Sequence, residues 1–315
     1  MKYILEDVNF DVNDKSCGHE TIKKCLDYSY ENHYSSAELF LLTGGLEFDF
    51  LYIDNKTLGY NSLKPVAKSL KTHLTENIEF YEKKTFYEKI ELIEQNVKNG
   101  NLASLYIMAE GLIYQDFKEK RYPYHMINVY GIDTYTEEIY IADLYVMDNK
   151  PARTIIGKFP WEIIINNVEE ILVYKKDQKQ ILKNIYTNEI IDNLKKMVAT
   201  KFSVINDYFM GLNRIDDFSY KINSITSTRW LFIPLFEFIK EYSYNSLNDY
   251  LKEKIENLIV NWKNILLKYI KYCIAEINCD IYEKLNIALL LSESQDVLEK
   301  IVITQEKMLQ ARINN

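Results

Sequence analysis

Glycine and proline are scarce, 9 and 5 among 315 residues, so local breaks are few and long elements are expected. The four cysteines, Cys17, Cys25, Cys273 and Cys279, show no CxxC spacing, which argues against both a metal site and a disulfide framework and fits a reducing compartment. No metal is therefore expected. No apolar run approaches the length needed to cross a bilayer. The opening Met1-Lys-Tyr-Ile-Leu-Glu-Asp meets acidic residues before an apolar signal core could form, so a cytoplasmic protein without a membrane partner is expected. A formal charge of −8, without a long basic stripe, argues against a general nucleic-acid binder. The one glycine pair, Thr43-Gly44-Gly45-Leu46, lacks both the Gly-Lys-Ser/Thr of a P-loop and the spacing of a dinucleotide fingerprint. There is no internal repeat and no low-complexity tail. What the chain has in excess is tyrosine, 26 residues, alongside much Lys, Asn and Ile. That usage suits an AT-rich genome and weakens any argument from one lysine or one tyrosine.

At 315 residues the chain is long enough for one large or two ordinary domains. Several of its few breaks fall between Gly100 and Pro160, where alternating segments predict strands. After Trp161 the pattern becomes helical: Leu251, Ile255, Leu258, Ile259, Trp262, Ile265, Leu266, Tyr269 and Ile270 recur at helical spacing. The expectation is an α+β fold with an antiparallel sheet in residues 1–160, followed by a helical bundle or lid in residues 161–315. Around Gly44 and Gly45 a turn into the apolar segment 48–52 competes with a close backbone approach to a substrate.

Only four histidines are present, so a general base has few candidates. His33 and His73 lie in polar, loop-like stretches and read as solvated. The segment Tyr124–Tyr130 alternates with His125, Ile127 and Val129 on one face, and Glu138–Tyr145 alternates with Ile139, Ile141 and Asp143 on one face. Between them lies Gly131–Glu137, a polar turn opened by glycine. Antiparallel pairing around that turn predicts Val129 opposite Ile139, Ile127 opposite Ile141, and His125 opposite Asp143. Side chains so opposed have Cβ atoms about 4.5–5.5 Å apart, close enough for a carboxylate to fix the tautomer of an imidazole.

Cys17 opens Cys17-Gly-His-Glu20, and from Gly18 to about Tyr30 Ile22, Cys25 and Leu26 form an apolar stripe while Lys23, Lys24 and Asp27 point away. A thiol at such a helix start feels free N–H groups and the positive dipole end, both of which favour thiolate. Cys25, on the buried stripe, reads as a core residue. His19 is two residues from Cys17, and positions i and i+2 do not face each other on a helix. Each member alone has a structural reading: a core thiol, a satisfied strand histidine, a turn-forming aspartate. Together, in this order, Cys17, His125 and Asp143 read as a cysteine nucleophile site.

The stretches Cys17–Leu26, Ser36–Phe50, Pro123–Asp133 and Glu138–Asp143 resemble the butirosin biosynthesis protein H family, over roughly residues 10–160 and more loosely beyond. They are also similar to the papain-like peptide synthetases, transpeptidases, of closthioamide assembly. The resemblance implies a papain-like domain related to C39-type peptidases, with Cys17 as nucleophile, His125 as general base and acid, and Asp143 orienting it. Papain-like enzymes place a Gln oxyanion donor six residues before the nucleophile. Here that position is Asp11, an acceptor when ionised, with Asn13 and the Cys17 backbone N–H as alternative donors.

The function this implies is a cysteine acyltransferase or transpeptidase of secondary metabolism, such as nonribosomal peptide or antibiotic biosynthesis. It would move an acyl or peptidyl group from a carrier-protein thioester, through an acyl-enzyme on Cys17, to a small amine. No cofactor would be bound; phosphopantetheine would arrive on the carrier. Two other classes stay open: a cysteine peptidase or amidohydrolase using the same triad, and a non-catalytic relative that binds a carrier protein. Lys64, Lys68, Lys71, Lys83 and Lys84 form a candidate carrier-docking patch, with a solvated lysine-rich face as the alternative. The assembly is left open, a homodimer included.

Overall fold

The structure is a computed structural model that describes residues 1–10, 17–30, 34–42, 49–53, 56–60, 63–108, 112, 124–146, 153–176, 190–196, 198–199, 202, 206, 232–233, 235–241, 243–275 and 286–313. Two compact units divide the chain: Met1–Leu39 with Ser62–Asn184, and Phe40–Asn61 with Ile185–Asn315.

The first unit is α+β. Its strands are β1 (Lys2–Ile4), β4 (Ile78–Glu82), β5 (Leu102–Met108), β6 (Tyr124–Asp133), β7 (Glu138–Val146), β8 (Arg153–Pro160) and β9 (Val168–Tyr174). They form one sheet in the order β4-β9-β5-β6-β7-β8, with β1 added antiparallel to β6, and every pairing is antiparallel. Helices α1 (Cys17–Ser29), α3 (Leu63–His73), α4 (Phe86–Lys98) and α5 (Trp161–Ile165) accompany it. α4 begins where its sequence says it should: Glu88 N–H donates to Thr85 Oγ1 and Thr85 N–H donates to the Glu88 carboxylate, a reciprocal cap.

Strand alternation sorts the core. Ile90, Ile93 and Val97 of α4 pack with Leu105, Ile107, Ile127, Val129, Ile139, Ile141, Ile171 and Val173. The opposite face receives α1, whose Ile22, Cys25 and Leu26 are all buried while Lys23 and Asp27 pair across one turn at its surface. The helix forms as its apolar spacing predicts.

The hairpin forms too, but in a different register. Val129 lies opposite Ile141, not Ile139, and Asp133 pairs with Glu138 around a short 134–137 turn. Two features replace the expected arrangement. Glu137 adopts a left-handed φ of 57°, and Asp133 accepts from the N–H groups of Tyr135 and Thr136, so the turn closes in fewer residues. The register then slips between Val129 and Gly131, a bulge that leaves Tyr130 outside the paired register with β7. Gly131 is therefore a strand glycine beside a bulge. A Cβ there would lie 3.0 Å from both the Tyr3 carbonyl oxygen and Tyr140 Cβ, because β1 comes down onto β6 at this point.

The division expected after residue 160 falls later. β9, beyond Trp161, is an interior strand between β4 and β5, so the sheet unit runs on through Asn184. The second unit also takes back an earlier segment, with the hairpin of β2 (Asp49–Ile53) and β3 (Lys56–Tyr60). α2 (Ser36–Leu42) ends inside this segment, and Asn193 Nδ2 donates to the Leu41 carbonyl at 3.1 Å. Among its described residues the second unit has two long helices, α6 (Asp249–Ala275) and α7 (Ile287–Ile313). Leu251, Ile255, Leu258, Ile259, Trp262 and Ile265 of the predicted stripe are buried; the side chains of Leu266, Tyr269 and Ile270 lie outside the described residues. Trp262 stacks on Phe232 at 4.1 Å between ring centroids and donates Nε1–H to Ser294 Oγ at 3.1 Å. Its one polar atom is thus satisfied in the core.

Candidate active site

β6 and β7 bring His125 and Asp143 together. His125 Nε2 and Asp143 Oδ1 are 2.8 Å apart, with the two residues 2% and 0% exposed. The predicted contact is present although the predicted opposition is not. The register differs from the expected one by two residues beyond the bulge, and an even shift keeps every side chain on its face. The two groups therefore reach each other diagonally across the pair.

The contact assigns the ring nitrogens. An ionised Asp143 only accepts, so Nε2 carries the proton, and in the neutral imidazole the lone pair is then on Nδ1. Nδ1 is then the atom able to take a proton from a nucleophile.

Cys17 is the first residue of α1, and its side chain lies outside the described residues. What is described is the helix that carries it. A Cβ added to Gly18 would lie 3.5 Å from Met126 Sδ, so the first turn rests on the residue that follows His125. Thr21 Oγ1 donates to the Met126 carbonyl at 3.4 Å, and Asn128 Nδ2 donates to the Thr21 carbonyl at 3.4 Å. One turn later, Cys25 Sγ lies 3.3 Å from Ser104 Oγ, and Ser104 is the cross-strand partner of Asn128. Helix and strand thus advance together from the start of β6.

The faces differ. Ser104 and the side chains of Met126 and Asn128 meet α1, whereas His125 pairs in register with Ile107, a member of the core cluster on the α4 side. A contact between residue 17 and the imidazole has to be made at the end of β6, where His125 is the second residue.

The two cysteines of α1 occupy different positions along the helix. Cys25 is completely buried, and that burial pushes its thiol well above the ordinary range, so it stays a neutral core group as its place on the apolar stripe predicts. Cys17 stands at the helix start, where backbone N–H groups are without intrahelical acceptors.

Asp11, Asn13, Gly44 and Gly45 lie outside the described residues, as do His33 and the side chain of His19. The lysine patch is interleaved with acids: Lys64 pairs with Glu82 at 3.2 Å and Lys84 with Glu88 at 3.8 Å, while Lys71 acts on Glu79. Sequence reasoning did not find the buried polar row of Thr21, Ser104 and Asn128, all 0% exposed, nor the burial of Glu20 in the first turn of α1. Asn128 carries a usable signal in retrospect: a polar residue between Ile127 and Val129 on a strand buried on both faces.

Among the described residues no cluster of His, Cys, Asp and Glu is placed to hold a metal, and no helix is long and apolar enough to cross a membrane. No protein-family model matches the chain, and no curated protein matches it.

Proposed function

We propose that this chain is a papain-like, C39-peptidase-like cysteine acyltransferase of secondary metabolism, with Cys17 as nucleophile, His125 as general base and acid, and Asp143 as the group that orients it. The observation that carries this reading is the buried 2.8 Å contact between His125 Nε2 and Asp143 Oδ1, at the strand end reached by the helix that Cys17 begins. A carboxylate that fixes the tautomer and orientation of an imidazole is the arrangement cysteine acyl transfer requires.

The chemistry runs in two halves. His125 Nδ1 takes the Cys17 proton, and the thiolate attacks the carbonyl carbon of a carrier-bound thioester. The tetrahedral intermediate collapses by breaking the bond to pantetheine sulfur, which leaves with the proton from His125. An amine then attacks the acyl-enzyme, His125 takes the N–H proton, and Cys17 thiolate departs. Thioester and amine become amide and thiol, with no ATP needed. The donor for the oxyanion falls to backbone N–H groups at the helix start, with Asn13 as the side-chain candidate. Acyl or peptidyl carrier proteins and small amines are the partners this reading requires.

The test is an intact-mass measurement after mixing the protein with a simple acyl thioester. The expected result is a single acyl adduct, lost in Cys17→Ala and strongly slowed in His125→Ala. Added amine should discharge it to amide; discharge to free acid regardless of amine would assign a hydrolase instead. Full turnover by Cys17→Ala would overturn both.

One observation favours the non-catalytic reading. Register places His125 with Ile107 on the sheet face opposite to α1, so the His125–Asp143 pair also serves as a buried polar tie between β6 and β7. Absence of any adduct in the same experiment would select it.

A further inference from the structure

The interface between α1 and the sheet is polar along one line. Thr21, Cys25 and Ser29 recur every four residues, on one face of the helix, and Cys17 occupies the preceding position of that series. Each meets a fixed point of the sheet: Thr21 the Met126 carbonyl and Asn128, Cys25 the Ser104 hydroxyl, and Ser29 the Tyr174 carbonyl at 3.4 Å. An apolar interface has little preference between neighbouring heights of a helix on a strand. Buried hydrogen bonds do, because a slip strands their donors away from water.

Asn128 is the member aimed at the helix backbone. It is fully buried, its Nδ2 donates to the Thr21 carbonyl, and its Oδ1 has no partner among the described residues. A leucine of similar size would remove that buried oxygen, so the amide is a poor choice for stability alone. Sliding α1 by one residue moves its first turn by about 1.5 Å. A nucleophile that must meet its base at a strand end tolerates little of that.

We infer that Asn128 is a positioning residue: by holding the Thr21 carbonyl it sets the height of α1 on β6, and with it the approach of Cys17 to His125. The inference rests on the acyl-transfer reading for its chemical half.

Asn128→Leu tests it in the full chain, with two readouts. Amide hydrogen exchange in the first two turns of α1 should speed by about tenfold while the opening energy of β5 and β6, read by the same exchange across a urea series, is unchanged or higher. The pH profile of Cys17 alkylation by iodoacetamide, followed by peptide mass mapping, should move towards that of a free thiol, with the neutral-pH rate down about tenfold. If the leucine does not fold, Asn128→Ser, which keeps a polar group but is too short to reach, is read in the same way. Unchanged exchange overturns the inference, and so does faster exchange with an unchanged alkylation profile. His125→Ala in parallel separates the two ideas: if it leaves the wild-type profile unmoved, the acyl-transfer reading has failed and this inference with it. A shift with His125→Ala but none with Asn128→Leu overturns the inference alone.

Discussion

Replacing the His125–Asp143 pair singly and together measures whether it is the coupled buried pair that the geometry describes. The side chains are 1% and 0% exposed and their hydrogen-bonding atoms are 2.8 Å apart. Asp143→Leu leaves an imidazole buried beside an aliphatic chain, and His125→Leu leaves a carboxylate in the same condition. Breaking a buried pair from one side costs about 3–5 kcal/mol, whereas replacing both partners with apolar groups of similar size is close to neutral. The double variant should therefore be more stable than either single variant, with a coupling of about 3 kcal/mol or more. Because the chain contains two compact units, one global melt does not isolate the sheet. Native-state hydrogen exchange of β6 and β7 peptides across a urea series does, reading the opening energy of those strands directly. A coupling below about 0.5 kcal/mol, the ordinary additivity error for independent sites, would refute the pair.

Gly131→Ala should destabilise the sheet unit by about 1–3 kcal/mol, since its Cβ would stand 3.0 Å from the Tyr3 carbonyl and Tyr140 Cβ; an unchanged opening energy for β1 and β6 would contradict the close approach. Trp262→Ala should cost the helical unit about 3–5 kcal/mol, read from exchange in α6, because a fully buried ring stacked on Phe232 is removed. Iodoacetamide should leave Cys25 unlabelled in the native protein and label it only in urea, its thiol being buried and held neutral. In the cap of α4, the Thr85 N–H and hydroxyl hold the Glu88 carboxyl below its usual range. A depressed folded value means its contribution is complete above the unfolded value of about 4.3 and fades as pH falls through the folded one. Glu88→Gln should accordingly flatten the loss of α4 opening energy, read by hydrogen exchange, on acidification below that pH, and a superimposable pH curve would refute the cap.

Local signals carried much of the site. The period of two in 124–130 and 138–145 put His125 and Asp143 on matching faces, and the apolar stripe of Ile22, Cys25 and Leu26 marked the helix that begins at Cys17. Register was not legible in the same way. It was decided by the left-handed Glu137, the Asp133 turn and the bulge at Tyr130, all of which lie outside the alternating stretches 124–129 and 138–143. The outcome survived because the difference was an even number of residues.

β9 was missed for another reason. Glu169 and Glu170 interrupt a short apolar run that carries no clean alternation, and the strand is buried against partners 61 to 96 residues earlier. Such a run is a strand only because β4 and β5 leave a place for it.

By itself the sequence determined what repeats at short range: which faces of α1, β6, β7 and α6 are apolar, and which side chains share a face. Only the tertiary structure decided what depends on distant partners. It set the depth of Asp143 beside His125, the interior position of β9, the approach of β1 that makes Gly131 necessary, and the polar row that fixes α1 over β6. Periodicity is a property of one segment, whereas register, burial and hydrogen-bond satisfaction are properties of two segments meeting.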